Sequence, residues 1–291
     1  MSSIATVQAF WDANPCGSQL SDAHDRAQYF ADIESRRYAH EPHIPVVARF
    51  SDYKDKRVLE IGTGVGTDAL QFQRAGADHV GIDLTFAGPK LGKKQFQLSG
   101  FPGKFTVGNA EVLPFADESF DHIYSFGVIH HSPSTESIVR EMRRVLKPGG
   151  TFTVMIYNRT SINYYIEIMF LRKLFRWILF PSVMPRVISR TLGLDRKKLE
   201  KHRELLLSKP KMTRAEWICM NTDGPECPLA KVYGKREALT LFSKFADVRT
   251  DVWFFDRTHW PVIGKLMPTG LASLLGRRWG WHRMVYGRKP G

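Results

Sequence analysis

RVLEIGTGVG at residues 57–66 is the stretch on which the fold turns. Arg57 to Ile61 reads as a short buried strand. Gly62, Gly64 and Gly66 follow at once, and TDALQFQR at 67–74 reads as a helix starting near Thr67 or Asp68. Strand, glycine turn and helix start form a corner that accepts an anion or a nucleotide. Glycine permits the tight turn and lets a ligand approach where a Cβ would collide.

The spacing narrows the ligand. A dinucleotide fingerprint is G-x-G-x-x-G. Here the third glycine comes one residue early, and Thr67 stands in its place. Glu60 precedes the turn, and Asp83 lies in the next apolar run, HVGIDL at 79–84. That is roughly the ~20-residue interval at which a carboxylate takes ribose hydroxyls. A carboxylate beside the turn suits a cationic ligand without phosphates. S-adenosylmethionine, with its sulfonium and amino acid part, fits that description.

Together these residues resemble a class I S-adenosylmethionine-dependent methyltransferase of the type 11 small-molecule group. EIGTGVG resembles the first motif of that family and GIDL its second. VGNAEVLPFADESFDHIYSFGVIHHSP at 107–133 resembles the stretch spanning the third and fourth strands, and RRVLKPGGTFTVMIY at 143–157 the approach to the fifth. The resemblance covers about residues 55–158, with four motifs in order. It implies that Glu60, Gly62, Thr63, Gly64 and Gly66 meet the methionine part, Asp83 and Leu84 the ribose, and Asn109 and Ala110 the adenine, with Phe126 alongside. Asn109 stands where the family usually has aspartate; its side-chain oxygen can still accept a hydrogen bond.

Alternation of apolar runs and helical stretches extends this reading. Strands are expected at 57–62, 79–84, 104–108, 121–126 and 151–158, and helices at 67–75, 88–99 and 134–146. Such alternation argues an α/β, doubly wound, mostly parallel sheet. The resemblance implies seven strands, closed by an antiparallel pair at 246–256 and 282–290. The expected organisation is a helical lid over 1–50, a cofactor-binding core over 51–160, a helical insertion over 161–240 and the closing pair over 241–291. THWPVIGKLMPTG, before the last strand, adds Trp260, Pro261 and Pro268.

The net charge of +13 is unevenly placed. Residues 1–160 hold 17 Lys/Arg against 18 Asp/Glu, and residues 161–291 hold 25 against 11. The basic C-terminal part favours an anionic substrate, an anionic membrane surface or nucleic acid, or serves only solubility. The N-terminus has neither a basic start nor a long apolar run, so no signal peptide is expected. Cys16, Cys219 and Cys227 form no C-x-x-C pair, so no metal or disulfide framework is indicated and a reducing cytoplasm is the simplest setting.

INYYIEIMFLRKLFRWILF at 162–180 is apolar but interrupted by Glu167, Arg172, Lys173 and Arg176, too charged for a span. At helical spacing those three cations share one face. The helix either caps the substrate cavity or meets a membrane interface. Tyr29, Arg37 and Tyr38 are candidate contacts from the lid. His130 and His131 either shape the pocket or supply a base near neutral pH. The candidate bases are His131, Tyr157 and Tyr233, with His130 and His131 also facing substrate. The expected reaction is methyl transfer to a small, partly apolar acceptor, including acidic, lipid-like or quinone-like ones. A nucleic-acid methyltransferase and a non-methylating or scaffold relative are the alternatives. No N-P-P-Y-type tetrad is present, which weakens the nucleic-acid reading.

Overall fold

The computed structural model describes residues 3–192, 195–209, 211–224, 226–257, 260 and 263–291. The strands are β1 (Arg57–Ile61), β2 (Asp78–Asp83), β3 (Phe105–Val107), β4 (Phe120–Phe126), β5 (Leu146–Asn158), β6 (Val232–Tyr233), β7 (Ala246–Trp253) and β8 (His282–Arg288). Helices α1 (Ile4–Ala13), α2 (Arg26–His40) and α3 (Ile44–Ala48) precede the sheet. Helices α4 (Thr67–Arg74), α5 (Ala87–Leu98) and α6 (Thr135–Val145) connect its first strands. Between β5 and β6 lie α7 (Arg172–Leu179), α8 (Met184–Leu192), α9 (Arg196–Ser208) and α10 (Arg214–Thr222). Helix α11 (Lys235–Leu241) precedes β7, and α12 (Ile263–Leu266) and α13 (Thr269–Trp279) precede β8.

The strand order is β3-β2-β1-β4-β5-β8-β7. It is parallel as far as β5, and β8 runs antiparallel to both β5 and β7. The seven expected strands form this path, and the two-residue β6 is an eighth that pairs with β5 beside it. Val58, Leu59 and Ile61 are buried because helices cover both faces of a parallel sheet, which is why β1 reads as an unbroken apolar run. Strand order reverses between β1 and β4. A crevice opens there at the carboxyl ends of the strands.

The insertion has a second apolar core around Tyr164, Ile168, Leu179, Trp217 and Trp281. Its first segment corrects one expectation. Residues Asn163–Leu171 form a π-helix, and α7 continues it. Of the three cations expected on one face, Arg172 and Arg176 turn inward and Lys173 stays exposed. Arg172 donates to Glu167 Oε1 at 2.6 and 3.0 Å, and the Arg176 guanidinium lies over the Trp217 ring. Glu167 is buried, and a buried carboxylate draws a cation inward. The outward side carries Phe170, Leu174 and Trp177 instead. Among the described residues no helix is long and apolar enough to cross a membrane. Pro261 lies outside the described residues.

His122 in β4 is fully buried, stacked on Tyr53, with Nδ1 2.8 Å from Thr151 Oγ1. Burial pushes its imidazole down to about 3. Below its ordinary value near 6.5 the unfolded chain takes up a proton that the fold refuses, so stability falls as pH drops from 6.5 towards 3. In urea unfolding at pH 6 and pH 5, His122→Gln should remove roughly 1.2 kcal/mol of that loss. An unchanged difference would mean that His122 does not titrate this way.

Candidate active site

The carboxyl ends of β1, β2, β4 and β5 open on one cavity of about 330 Å³. Its floor is the glycine turn. Gly62, Gly64 and Gly66 all have positive φ, at 81°, 49° and 86°. A Cβ on Gly62 would stand 2.2 Å from Val128 Cγ2, so this turn tolerates only glycine. Ser125 in β4 donates to the Ile61 carbonyl, which locks the turn against the neighbouring strand.

Carboxylates ring this floor. Glu60 is buried at the end of β1, with Oε2 2.9 Å from His79 Nε2. Burial, with Asp68 and Asp83 nearby, pushes its carboxyl well above the usual range. Asp83 ends β2 and is fixed by three donors: the Gly64 N–H at 2.9 Å, the Thr85 N–H at 2.9 Å and the Thr85 hydroxyl at 2.7 Å. Oδ1 takes both Thr85 donors, and Oδ2, which accepts only the Gly64 N–H, keeps a lone pair for a ligand hydroxyl. Asn109 and Ala110 line the same cavity, as do Thr63, Leu84 and Phe126. Asn109 Oδ1 already accepts the Glu111 N–H at 2.9 Å, a local turn that sets its orientation.

The N-terminal helices close over this floor at two places. From α1, Gln8 donates to the Leu84 carbonyl at 2.8 Å. Asp12 Oδ1 accepts the Phe86 and Ala87 N–H groups at 2.7 and 3.0 Å, capping α5 from a distance. From α2, Arg37 makes a two-pronged bond to Asp68 at 3.1 and 2.8 Å, and the Tyr38 hydroxyl donates to the same carboxylate at 2.9 Å. Tyr124 in β4 adds a third donor at 2.9 Å. Asp68 sits in the first turn of α4, so one carboxylate ties α2, the glycine turn and the sheet together.

The other end of the cavity is aromatic, lined by Trp11, Tyr157, Phe254 and Trp281. His131 reaches it from the turn after β4. Its Nδ1 lies 2.6 Å from the Leu229 carbonyl, which requires the proton on Nδ1, so in the neutral ring Nε2 carries the lone pair. Nε2 is buried without a partner, 3.6 Å from Asp223 Oδ2, which is equally unpartnered. The Tyr157 hydroxyl donates to the other Asp223 oxygen at 2.7 Å. A nitrogen lone pair and a carboxylate thus face one gap.

Four expected contacts lie elsewhere. Tyr29 packs with Phe30, Ile33 and Val65 and donates to the Ser18 carbonyl. Tyr38 is spent on Asp68. His130 backs Tyr157, with ring centroids 4.0 Å apart. Tyr233 donates to Thr135 Oγ1 at 3.0 Å. None of the four lines the cavity. Residues the sequence did not single out, Trp11, Asp223, Trp281 and His282, do.

Among the described residues, two side-chain groups have the spacing of metal ligands, Glu41 with His43 and His282, and His131 with Asp223 and Cys227. In the first, His43 Nε2 and His282 Nδ1 lie 3.0 Å apart and hydrogen-bond to each other. In the second, burial and the Asp223 charge push the Cys227 thiol up to about 12, so it stays protonated and unsuited to a metal. Glu60, Asp68, Asp83 and Asp223 outweigh Arg37 in the cavity. Together with the glycine floor, that suits an organic cation such as S-adenosylmethionine.

Arg37→Ala should lower the unfolding free energy by about 3–5 kcal/mol, because it strands a buried carboxylate. Arg37→Lys should recover less than half, since one ammonium cannot span both oxygens. Urea unfolding of the two variants measures both; a loss below about 1 kcal/mol for Arg37→Ala, the range of exposed pairs, would contradict this role.

The Methyltransferase domain family matches residues 59–154. A phthiotriol/phenolphthiotriol dimycocerosates methyltransferase of Mycobacterium tuberculosis is 42% identical over 103 residues, 35% of this chain and 37% of that protein. Phosphoethanolamine N-methyltransferase 2 of Caenorhabditis elegans is 30% identical over 123 residues, 41% of this chain and 28% of that protein. The matched stretch therefore spans less than two fifths of these relatives' own length. Among solved structures, geranyl diphosphate C-methyltransferase from Streptomyces coelicolor, in complex with Mg2+, geranyl diphosphate and S-adenosyl-L-homocysteine, superposes with a TM-score of 0.54. Its identity is 11%, covering 98% of this chain and 97% of that one. The cyclase SpnF superposes at 0.55 with 15% identity, covering 98% and 95%. At such identities these two likenesses show the fold. Motifs, sheet order and family match agree on a methyltransferase domain of the class I S-adenosylmethionine-dependent kind over residues 59–154.

Proposed function

We propose that this chain methylates a hydroxyl or amine on a small, largely apolar acceptor. Glu60, Gly62, Thr63, Gly64 and Gly66 hold the amino acid end of S-adenosylmethionine, Asp83 and Leu84 the ribose, and Asn109, Ala110 and Phe126 the adenine. When bound, that cofactor supplies a methyl group already activated on a sulfonium. The protein's task is alignment and exclusion of water. The lid contacts of Gln8, Asp12 and Arg37 support exclusion.

The observation that carries the reading is the unpartnered His131 Nε2 facing Asp223 across a gap in the aromatic end. The acceptor's O–H or N–H donates to this nitrogen. As the acceptor atom takes the methyl, its proton passes to His131, and Asp223 stabilises the resulting imidazolium. Tyr157 positions Asp223 through its hydroxyl. Trp11, Phe254 and Trp281 pack the apolar body of the acceptor. The names of the relatives, one for phthiotriol and phenolphthiotriol lipids and one for phosphoethanolamine, support protic acceptors.

The test is incubation with methyl-labelled S-adenosylmethionine and a panel of apolar alcohols, phenols and amines, with label followed into product. His131→Ala should lower kcat about 10²–10⁴-fold while leaving cofactor affinity within about twofold. Tyr157→Phe should lower it less. Turnover by His131→Ala at the wild-type rate would remove the base from this account.

A further inference from the structure

We infer that the outward face of residues 165–187 docks on an anionic phospholipid bilayer. The proposal stands apart from methyl transfer and rests on a different surface. Phe170, Trp177 and Phe180 are 62%, 77% and 63% exposed, and Leu174 is exposed beside them. They run along one continuous helical stretch, from the π-helix through α7. Large aromatics this exposed and contiguous are rare on a surface that meets only water.

The arrangement inverts ordinary amphipathicity. The cations of this stretch, Arg172 and Arg176, turn inward onto Glu167 and Trp217, while the aromatics turn out. The cations that do face solvent lie around the aromatic patch. Lys173 is exposed within α7 and Arg186 in α8, and no carboxylate lies within salt-bridge distance of either among the described residues. Residues 161–215 hold 13 Lys/Arg against 4 Asp/Glu, a net +9. Exposed Trp and Phe bordered by Lys and Arg is the composition of a segment lying in a membrane interface. Basic residues near the surface attract anionic headgroups. The same charge argues against a second copy of this face, which would set like charges against each other. A cleft beside Trp177, floored by Trp217 and edged by Lys173 and Arg214, gives the patch a place for a lipid headgroup.

The test is co-sedimentation of the whole chain with vesicles of phosphatidylglycerol and phosphatidylcholine, beside vesicles of phosphatidylcholine alone. The wild-type protein should sediment with the anionic vesicles at least about tenfold more strongly than with the neutral ones. Trp177→Ser combined with Phe180→Ser should weaken anionic binding about tenfold or more, as should Lys173→Glu combined with Arg186→Glu. All four side chains are exposed, so circular dichroism and S-adenosylmethionine binding should stay unchanged and separate this test from the cofactor site. No sedimentation of the wild type, equal binding to both vesicles, or unweakened binding by the Ser variant would overturn the proposal. A dimer in sedimentation equilibrium that the Ser variant dissolves, without vesicle binding, would overturn it in favour of a self-interface.

Discussion

A carboxylate buried in the first turn of a helix needs donors, and Asp68 takes them from three directions. Arg37 and Tyr38 come from α2, and Tyr124 comes from the middle of the sheet. Because Gly66 immediately precedes α4, any shift of Asp68 would move the glycine turn. Helix α2 is therefore bonded to the element that shapes the crevice floor. The second attachment, through Gln8 and Asp12, sits on the loop after β2. Cavity, glycine turn and the N-terminal helices α1 and α2 are thus tied together.

The cavity is also electrostatically biased. Glu41, Glu60, Asp68, Asp83, Asp223 and Asp256 all line the cavity, and Arg37 is its one guanidinium among the described residues. Burial holds the His282 imidazole neutral, with His43 and Arg37 adding to the effect, so it supplies no offsetting charge. Burial, with Asp68 and Asp83 close by, raises the Glu60 carboxyl well above its usual range. A cation entering the cavity relieves that repulsion. The same logic, with water kept out, strengthens each interaction a sulfonium would make.

Most of the fold was legible because its signals are local. Glycine spacing, unbroken apolar strands and helix starts lie within a few residues of one another, and ligand-facing positions follow from strand ends. Asp83 and Asn109 could be placed that way. Asp223, Trp11 and Trp281 could not, since they reach the cavity from far along the chain and carry no local pattern. Tyr29 and Tyr38 fall nine positions apart on α2, half a turn out of phase, so one helix could not aim both at the same site. In α7 the periodicity was readable but its direction was not. A helical pattern says that two faces differ; here the buried Glu167 decides which one turns inward.

Calorimetric titration with S-adenosylmethionine, run on the wild type and on Asp83→Ala, tests the central claim most directly. The account predicts saturable one-site binding by the wild type, weakened at least about tenfold in the variant, since the charge-assisted ribose hydrogen bond to Asp83 would be lost. A folded wild-type protein that binds no S-adenosylmethionine, or an Asp83→Ala variant that binds it equally well, would contradict the assignment of this cavity.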